Sequence, residues 1–401
     1  MNKYPKFFFV IIITVLFFTL SACSTESPDG KPKEVPTSTS QVGTSGTSQG
    51  STVGTSVGTT VREAMFRVNA EHSGVYKSKG PQEFGEVMWS LPTEDGVFSS
   101  PAIAEGIVYF GNDDGYFYAL DASSGEEKWQ FRAEDNVQSS PAIVEGVVYF
   151  GSEDGHLYAL DAKSGEEKWK FHTEGFVSSS PAIADGVVYF GSFDKKLYAL
   201  DAKSGEQKWH FVTQSAIFSS PAIADGVVYF GSNDDHLYAV DANSGEEKWR
   251  FLAKGAVRSS PAVVDGVVYF GSVDANLYAV DAESGEEKWK FFTEFEIFSS
   301  PAIADGIVYF GGWDNHFHAL DINSGQPKWE FVAESGLESS PTIADGIVYF
   351  GSWDGNLYAL DAKSGVEKWR FHTENGLSSS PAVVDGVVYI GGLDGNLYAI
   401  R

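Results

Sequence analysis

From Gly85 to Arg401 the apolar and polar positions recur every 40 residues with no insertion, and one unit shows what the pattern predicts. Ser99-Ser100-Pro101-Ala102-Ile103-Ala104 is an apolar run stopped by Glu105-Gly106, and later units carry Asp-Gly at this point. Asp-Gly between apolar runs signals a two-residue hairpin, because both central residues need positive φ. Ile107-Val108-Tyr109-Phe110 is continuously apolar, as a strand covered on both faces should be. Asp114-Gly115 closes it, Tyr116 to Leu120 form a third strand, and Asp121-Ala122-Ser123-Ser124-Gly125 a third turn. Glu127-Lys128-Trp129-Gln130-Phe131 alternates polar with apolar, the mark of a half-exposed outer strand. Four antiparallel strands per unit and no helical periodicity predict an all-β fold, the blade of a β-propeller.

The period itself is marked by Trp89, Trp129, Trp169, Trp209, Trp249, Trp289, Trp329 and Trp369, and by prolines at every fortieth residue from Pro101 to Pro381. A fixed period in this range indicates units too small to bury their own faces, which stack on their neighbours. The first unit opens with a fourth strand, Val87-Met88-Trp89-Ser90-Leu91, and the last stops after its third, Leu397-Tyr398-Ala399-Ile400-Arg401. Prolines and tryptophans balance at eight blades when the N-terminal strand completes the C-terminal blade. Such closure removes the exposed sheet edges of an open array.

The segment before the repeats divides in three. Lys3 and Lys6 precede the apolar run from Phe7 to Leu20, which is shorter than the ~20 residues of a membrane-spanning helix. Ending in Leu20-Ser21-Ala22-Cys23, residues 1–22 have the form of a signal peptide. This ending resembles the lipobox of bacterial lipoproteins, which implies cleavage before Cys23, a lipid-carrying thiol and an extracytoplasmic protein anchored to the membrane. In a host with two membranes, Ser24 after the Cys implies the periplasmic side of the outer membrane. Residues 23–60 are the lipidated Cys and a Ser/Thr/Gly tether too poor in large apolar side chains to fold. As a Gly-rich coil, residues 24–60 reach roughly 30–35 Å. Residues 61–84 form an aperiodic leader, and residues 85–401 the propeller.

Charge and cysteine count narrow the function. The net charge of −27 argues against nucleic-acid binding, which needs clustered Lys and Arg, and favours a soluble monomeric propeller. With Cys23 as the sole cysteine, neither an intramolecular disulfide nor a Cys-based metal site can form.

Residues 119–129 read Ala-Leu-Asp-Ala-Ser-Ser-Gly-Glu-Glu-Lys-Trp, and nearly the same string returns six more times. It resembles the tryptophan-docking motif of the pyrroloquinoline-quinone (PQQ) repeat family of eight-bladed propellers. That resemblance implies that the eight Trp rings wedge between blades while Asp and Ser hold the turn. The family includes calcium- and PQQ-dependent dehydrogenases as well as non-catalytic members, such as the propeller lipoprotein of the outer-membrane β-barrel assembly machine. The enzymes carry a vicinal disulfide and insertions bearing calcium ligands and a catalytic Asp. Here both are absent, so the similarity is to the non-catalytic lipoprotein branch, with no catalytic residue and no cofactor expected. A quinone- or small-ligand-binding redox protein, holding PQQ with calcium, is the alternative.

Candidate sites follow from what differs between units. Asp recurs at every fortieth residue from Asp114 to Asp394, one per blade; calcium needs six to eight converging oxygens, so each Asp is read as fixing a turn. His156, His236 and His316 occupy alternate blades, too far apart for a shared zinc, and no metal site is expected. On the face formed by the loops between strands two and three and between blades, one position runs Asp113, Glu153, Phe193, Asn233, Val273, Trp313, Trp353, Leu393. Its last four members make an apolar arc, joined by Phe295 and Phe298, and such a patch marks a surface for a protein or peptide partner in the cell envelope. The alternative is that these rings fold down onto neighbouring blade tops. Phe98, Gln138, Ser178, Phe218, Arg258, Phe298, Glu338 and Ser378 begin the inner strands and should ring the mouth of the central channel, where a small ligand is a further option.

Overall fold

A computed structural model describes residues 64–401; the signal segment, Cys23, the tether and residues 61–63 lie outside the described residues. The repeats form eight antiparallel sheets. In the first blade the inner strand Ala102–Ala104 is followed outward by Ile107–Gly111, Tyr116–Asp121 and Glu127–Arg132. Val108, Phe110, Phe117, Ala119 and Leu120 are fully buried, because the sheets on either side cover both faces of the two middle strands. Glu105 and Gly106 have φ of 50° and 76°, the left-handed pair that the hairpin chemistry required.

The last blade takes its outer strand, Val87–Pro92, from the N-terminal side and its other three, Ala382–Val384, Val387–Gly391 and Asn396–Ile400, from the C-terminal side. Trp89 pairs with Ala399 there as Trp129 pairs with Ala119 in the first blade. Even the turn is rebuilt across the break. The Gly125 N–H donates to the Asp121 carbonyl at 2.8 Å, and Gly85 donates to the Arg401 carbonyl at the same distance.

Two interactions tie each blade to the next. The outer-strand Trp lies over the turn glycine of the following blade, where a Cβ on Gly165 would sit 2.7 Å from the Trp129 ring. Its Nε1–H donates to a carbonyl in the same turn, as Trp129 does to Ala162 at 3.1 Å, and the Tyr109 hydroxyl donates to that carbonyl at 3.0 Å. Trp89 and Tyr389, from opposite ends of the sequence, converge in the same way on Ala122. Around the axis, the second Ser of each Ser-Ser-Pro accepts from the backbone N–H of the matching Ser one blade earlier. Eight such bonds of 2.9–3.0 Å run from Ser100 to Ser140 and onward, and the last, from Ser380 to Ser100, closes the circle.

The leader, for which the sequence offered no physical placement, lines the axial channel. An inner strand exposes one row of backbone groups to the channel, and buried N–H groups need partners. Leader carbonyls supply them. Ile143, Ile223, Val263, Ile303 and Ile343 donate to Ala64, Ala70, Glu71, Ser73 and Gly74 respectively. Val75–Tyr76 adds a parallel strand to the seventh blade. Arg67 is buried in the channel and donates to the carbonyls of Pro301 and Pro341, while a His72 ring nitrogen lies 3.1 Å from the Pro261 carbonyl. Desolvation lowers the Arg67 pKa to about 9 and the His72 pKa to about 3, the latter helped by the neighbouring Arg67 charge, so the His72 ring is neutral. Pro81 supplies the carbonyl that Trp369 and Tyr349 need, at 2.9 and 3.1 Å, where the other blades use their turn.

A candidate protein-binding face

In six of the eight blades the loop between strands two and three is held by the same contacts, so side chains vary on a fixed frame. Asp154 shows the pattern: one carboxylate oxygen accepts the His156 N–H at 2.9 Å, and the other accepts the Tyr158 hydroxyl at 2.7 Å and the Glu134 N–H at 3.0 Å. These bonds hold the Asp154 carboxyl below its ordinary range although burial, the largest influence, opposes them. The Asp series is thus occupied in turns. The variable residue just before each Asp is anchored by its own N–H to the preceding inter-blade loop, as Phe193 is to Phe176, Trp313 to Glu296 and Trp353 to Gly336. None of these bonds uses the variable side chain, so that side chain is free to serve another purpose.

What the frame presents is a continuous aromatic run. Ring centroids are 5.7 Å apart from Phe176 to Phe193 and 5.2 Å from Phe193 to Phe218. The Arg258 guanidinium bridges the next gap, 6.0 Å from the Phe218 ring and 5.9 Å from the Phe298 ring, close enough for cation–π attraction. Phe298 then meets Trp313 at 5.8 Å and Trp313 meets Trp353 at 6.0 Å. The Trp353 Nε1–H donates to Glu338 at 3.0 Å, and the Arg258 Nε–H to Asn233 at 3.1 Å. Burial raises the Glu338 pKa, against the bond from Trp353. Phe176, Phe218, Phe295, Trp313 and Trp353 are 38–54% exposed, an unusual cost in apolar hydration for one sector of a surface.

The opposite sector of the mouth is acidic. Asp113 and Glu153 occupy the variable position in the first two blades, where Gln138 donates to Asp113 at 3.1 Å and Ser178 faces Glu153 at 3.5 Å. Burial, reinforced by the Glu153, Asp95 and Asp114 charges against the Gln138 bond, pushes the Asp113 pKa up to about 7. Burial and Asp135 raise that of Glu153 as well. Two carboxyls that resist ionisation side by side make a receptive place for a cationic group.

The sequence-predicted arc is brought together in part. Phe298, Trp313 and Trp353 touch, Phe295 stands exposed beside them, and Val273 and Leu393 are half-buried, Leu393 packing toward Gly96. Trp313 and Trp353 lie across Gly336 and Gly376 of the next inter-blade loops, as the packing alternative expects, and remain 39% and 38% exposed. Of the mouth residues, Gln138, Ser178, Phe218, Arg258 and Glu338 contact the variable position, and Phe98 and Ser378 are half-buried. Sequence reasoning did not select Phe176 or Phe193. The sign available was an aromatic at the variable position of one unit with a second, Phe176, at the point of the inter-blade loop that precedes it.

A cavity of about 650 Å³ lies elsewhere, between the last and first blades, lined by Met88, Asp121, Lys128, Lys163, Asp385 and Tyr389 among others. Beside Arg67 and Tyr76 the channel keeps a space of about 10 Å³. That is room for about one water molecule.

With this geometry in view, comparison with known proteins is informative. No curated protein matches the chain significantly. Among solved structures, BamB from Moraxella catarrhalis superposes with a TM-score of 0.68 at 20% identity, covering 79% of this chain and 99% of the other. The computationally designed Ika8 protein gives 0.72 at 19% identity, covering 79% and 100%. Quinohemoprotein alcohol dehydrogenase from Comamonas testosteroni gives 0.72 at 16% identity, covering 84% and 80%. At such identities these likenesses establish the shared fold and leave function to the site. The profile of the family described as outer membrane protein assembly factor BamB matches residues 80–217, 213–296 and 294–401, and the chain therefore belongs to that family.

Proposed function

We propose that this chain is a lipid-anchored, non-catalytic scaffold of the cell envelope whose variable face binds a protein partner, in the service of outer-membrane protein assembly. The observation that carries this reading is the aromatic run from Phe176 to Trp353, presented on loops whose backbone is fixed independently of those side chains. Exposed Trp and Arg are the residues that most often dominate protein interfaces. Together with the Asp113–Glu153 sector, the face suits an extended segment with large apolar side chains and a basic group at one end. Membership of the BamB family supports the envelope setting, and Cys23 supports anchorage by lipid at the periplasmic side of the outer membrane. The test is a crosslinking pull-down from envelope membranes with the Trp313→Ser/Trp353→Ser double variant. Retained folding with loss of partner capture supports the reading; loss of the fold would assign both rings to the core.

A quinone-dependent redox protein is the second reading, favoured by the likeness in fold to an alcohol dehydrogenase. The residues present fit a quinone poorly. The leader fills the axial channel around Arg67, leaving about 10 Å³, whereas small-molecule sites need roughly 300 Å³ or more. The Asp series from Asp114 to Asp394 is occupied in its own turns, as Asp154 shows. Adding PQQ and calcium, then measuring melting temperature and dye reduction, separates the readings.

A further inference from the structure

The sixth blade departs from the repeat more than any other at one spot. In the other seven blades the third strand carries Tyr two residues beyond its first position, from Tyr118 to Tyr398; in the sixth that residue is His318. The loop before it reads Gly312-Trp313-Asp314-Asn315, with Gly312 where five other blades have Ser. A Cβ at Gly312 would collide with the Asp314 carboxylate, as one at Gly392 would with Asp394 in the eighth blade, so what sets the sixth blade apart is the pair of histidines beside its Asp. His316 and His318 alternate along one strand, which puts both rings on the same face as Asp314.

We infer that Asp314, His316 and His318 form a binding site for a zinc-like divalent transition-metal ion. Each offers one donor atom, the three lie within 4.8 Å of one another, and they are the one such grouping among the described residues. His318 Nε2 is 3.1 Å and His316 Nδ1 is 3.7 Å from Asp314 Oδ2. Donors about 2.0–2.1 Å from a tetrahedral ion stand about 3.4 Å apart, between the two distances to Asp314, and small side-chain rotations would bring the His316 and His318 donors, within 4.8 Å of each other, to the same spacing. Two imidazoles and one carboxylate suit zinc, nickel or copper and not calcium or magnesium. Asp314 and His318 are buried, whereas the His316 side chain is 35% exposed, which leaves a path for the ion and an open fourth position for water or a ligand atom.

In the metal-free protein the His318 Nε2–H donates to Asp314, as the Tyr hydroxyl does to its Asp in other blades. The ion takes the place of that proton, and the ring carries its hydrogen on Nδ1. Blade 2 provides a natural contrast. His156 and His172 lie with ring centroids 4.9 Å apart, tilted at 46°, beside Asp154, but Tyr158 keeps the position that His318 takes in the sixth blade. Because Asp314 follows Trp313 directly, a bound ion also fixes the loop that carries the centre of the aromatic run.

The test uses the purified full chain at pH 7.5, titrated with Zn²⁺ by calorimetry and with Ni²⁺ by tryptophan fluorescence. His318→Tyr restores the residue of the other blades and should fold normally; His316→Asn removes the exposed donor, and His156→Asn is the control. The expected result is one Zn²⁺ per chain, a saturable rise in melting temperature and Ni²⁺ quenching lost in Trp313→Phe. Affinity should fall at least tenfold in His318→Tyr and His316→Asn and remain unchanged in His156→Asn. No binding by the parent chain at 100 µM Zn²⁺, or undiminished binding by a folded His318→Tyr variant, would overturn the assignment.

Discussion

Trp129→Ala probes the joint between two blades. Trp129 is 9% exposed, its rings lie 6.0 Å from both Tyr109 and Phe117, and its Nε1–H bonds to Ala162 across the blade boundary. A Trp of this burial removes roughly 200 Å² from water, which at about 25 cal/mol per Å² corresponds to ~5 kcal/mol. The lost hydrogen bond adds about 1 kcal/mol, and relaxation of Tyr109 and the Gly165 turn into the space recovers part of the total. Measured Trp→Ala changes in cores run at about 3–5 kcal/mol, so we expect a loss of about 4 kcal/mol. Trp313→Ala, on the variable face, should cost half as much, about 2 kcal/mol, because its ring is 39% exposed, can be replaced by solvent at the surface and donates no hydrogen bond among the described residues. Urea denaturation followed by circular dichroism measures both. Equal costs for the two variants would refute the division between docking and face tryptophans.

Three further outcomes are expected. Ala275 holds φ of 66° where four other blades place Gly, so Ala275→Gly should raise stability by up to about 1 kcal/mol in the same denaturation assay. Asp113 has its folded pKa raised to about 7 from 3.8, so the folded state binds the extra proton and stability declines as pH rises through that interval. Asp113→Asn removes this penalty and should stabilise by about 1–2 kcal/mol at pH 8, after allowance for solvent screening, and by little at pH 4, as read from melting at the two pH values. Deleting residues 64–80 strips the partners from five inner-strand N–H groups at about 1 kcal/mol each, and hydrogen exchange should quicken at Ile303 and Ile343.

The parts of the fold legible in the sequence are those that each blade specifies locally. Asp-Gly or Glu-Gly hairpins, the two apolar strands and the half-exposed outer strand repeat their chemistry along the chain, and the incomplete first and last units reveal how the ring closes. The Ser-Ser-Pro ring was not legible, because a bond between residues 40 apart has meaning only once the chain has wrapped around an axis. The leader lacks any period, and its backbone carbonyls, which do most of its bonding, carry no sequence signature.

The candidate face was legible where difference between repeats could be read down one column, as for Trp313 and Trp353. It was obscured where partners come from different loops: Phe176, Phe193 and Phe218 join only because a variable loop meets an inter-blade loop and then the next inner strand. Arg258, placed by the sequence only in the ring at the channel mouth, finds its partners in the rings of Phe218 and Phe298. His316 likewise meets His318 within its own blade, a pairing hidden when histidines are compared only across blades.

The claim that the variable face holds the partner is tested most directly by photocrosslinking in intact cells. A photoreactive residue is placed at Trp353, and in a second protein at Lys203, an exposed residue of a turn on the opposite face. Adducts should form from position 353, disappear when Phe218→Ser and Trp313→Ser are added, and be absent from position 203. Adducts from position 203 alone, or adducts from 353 that survive those two substitutions, would contradict the account.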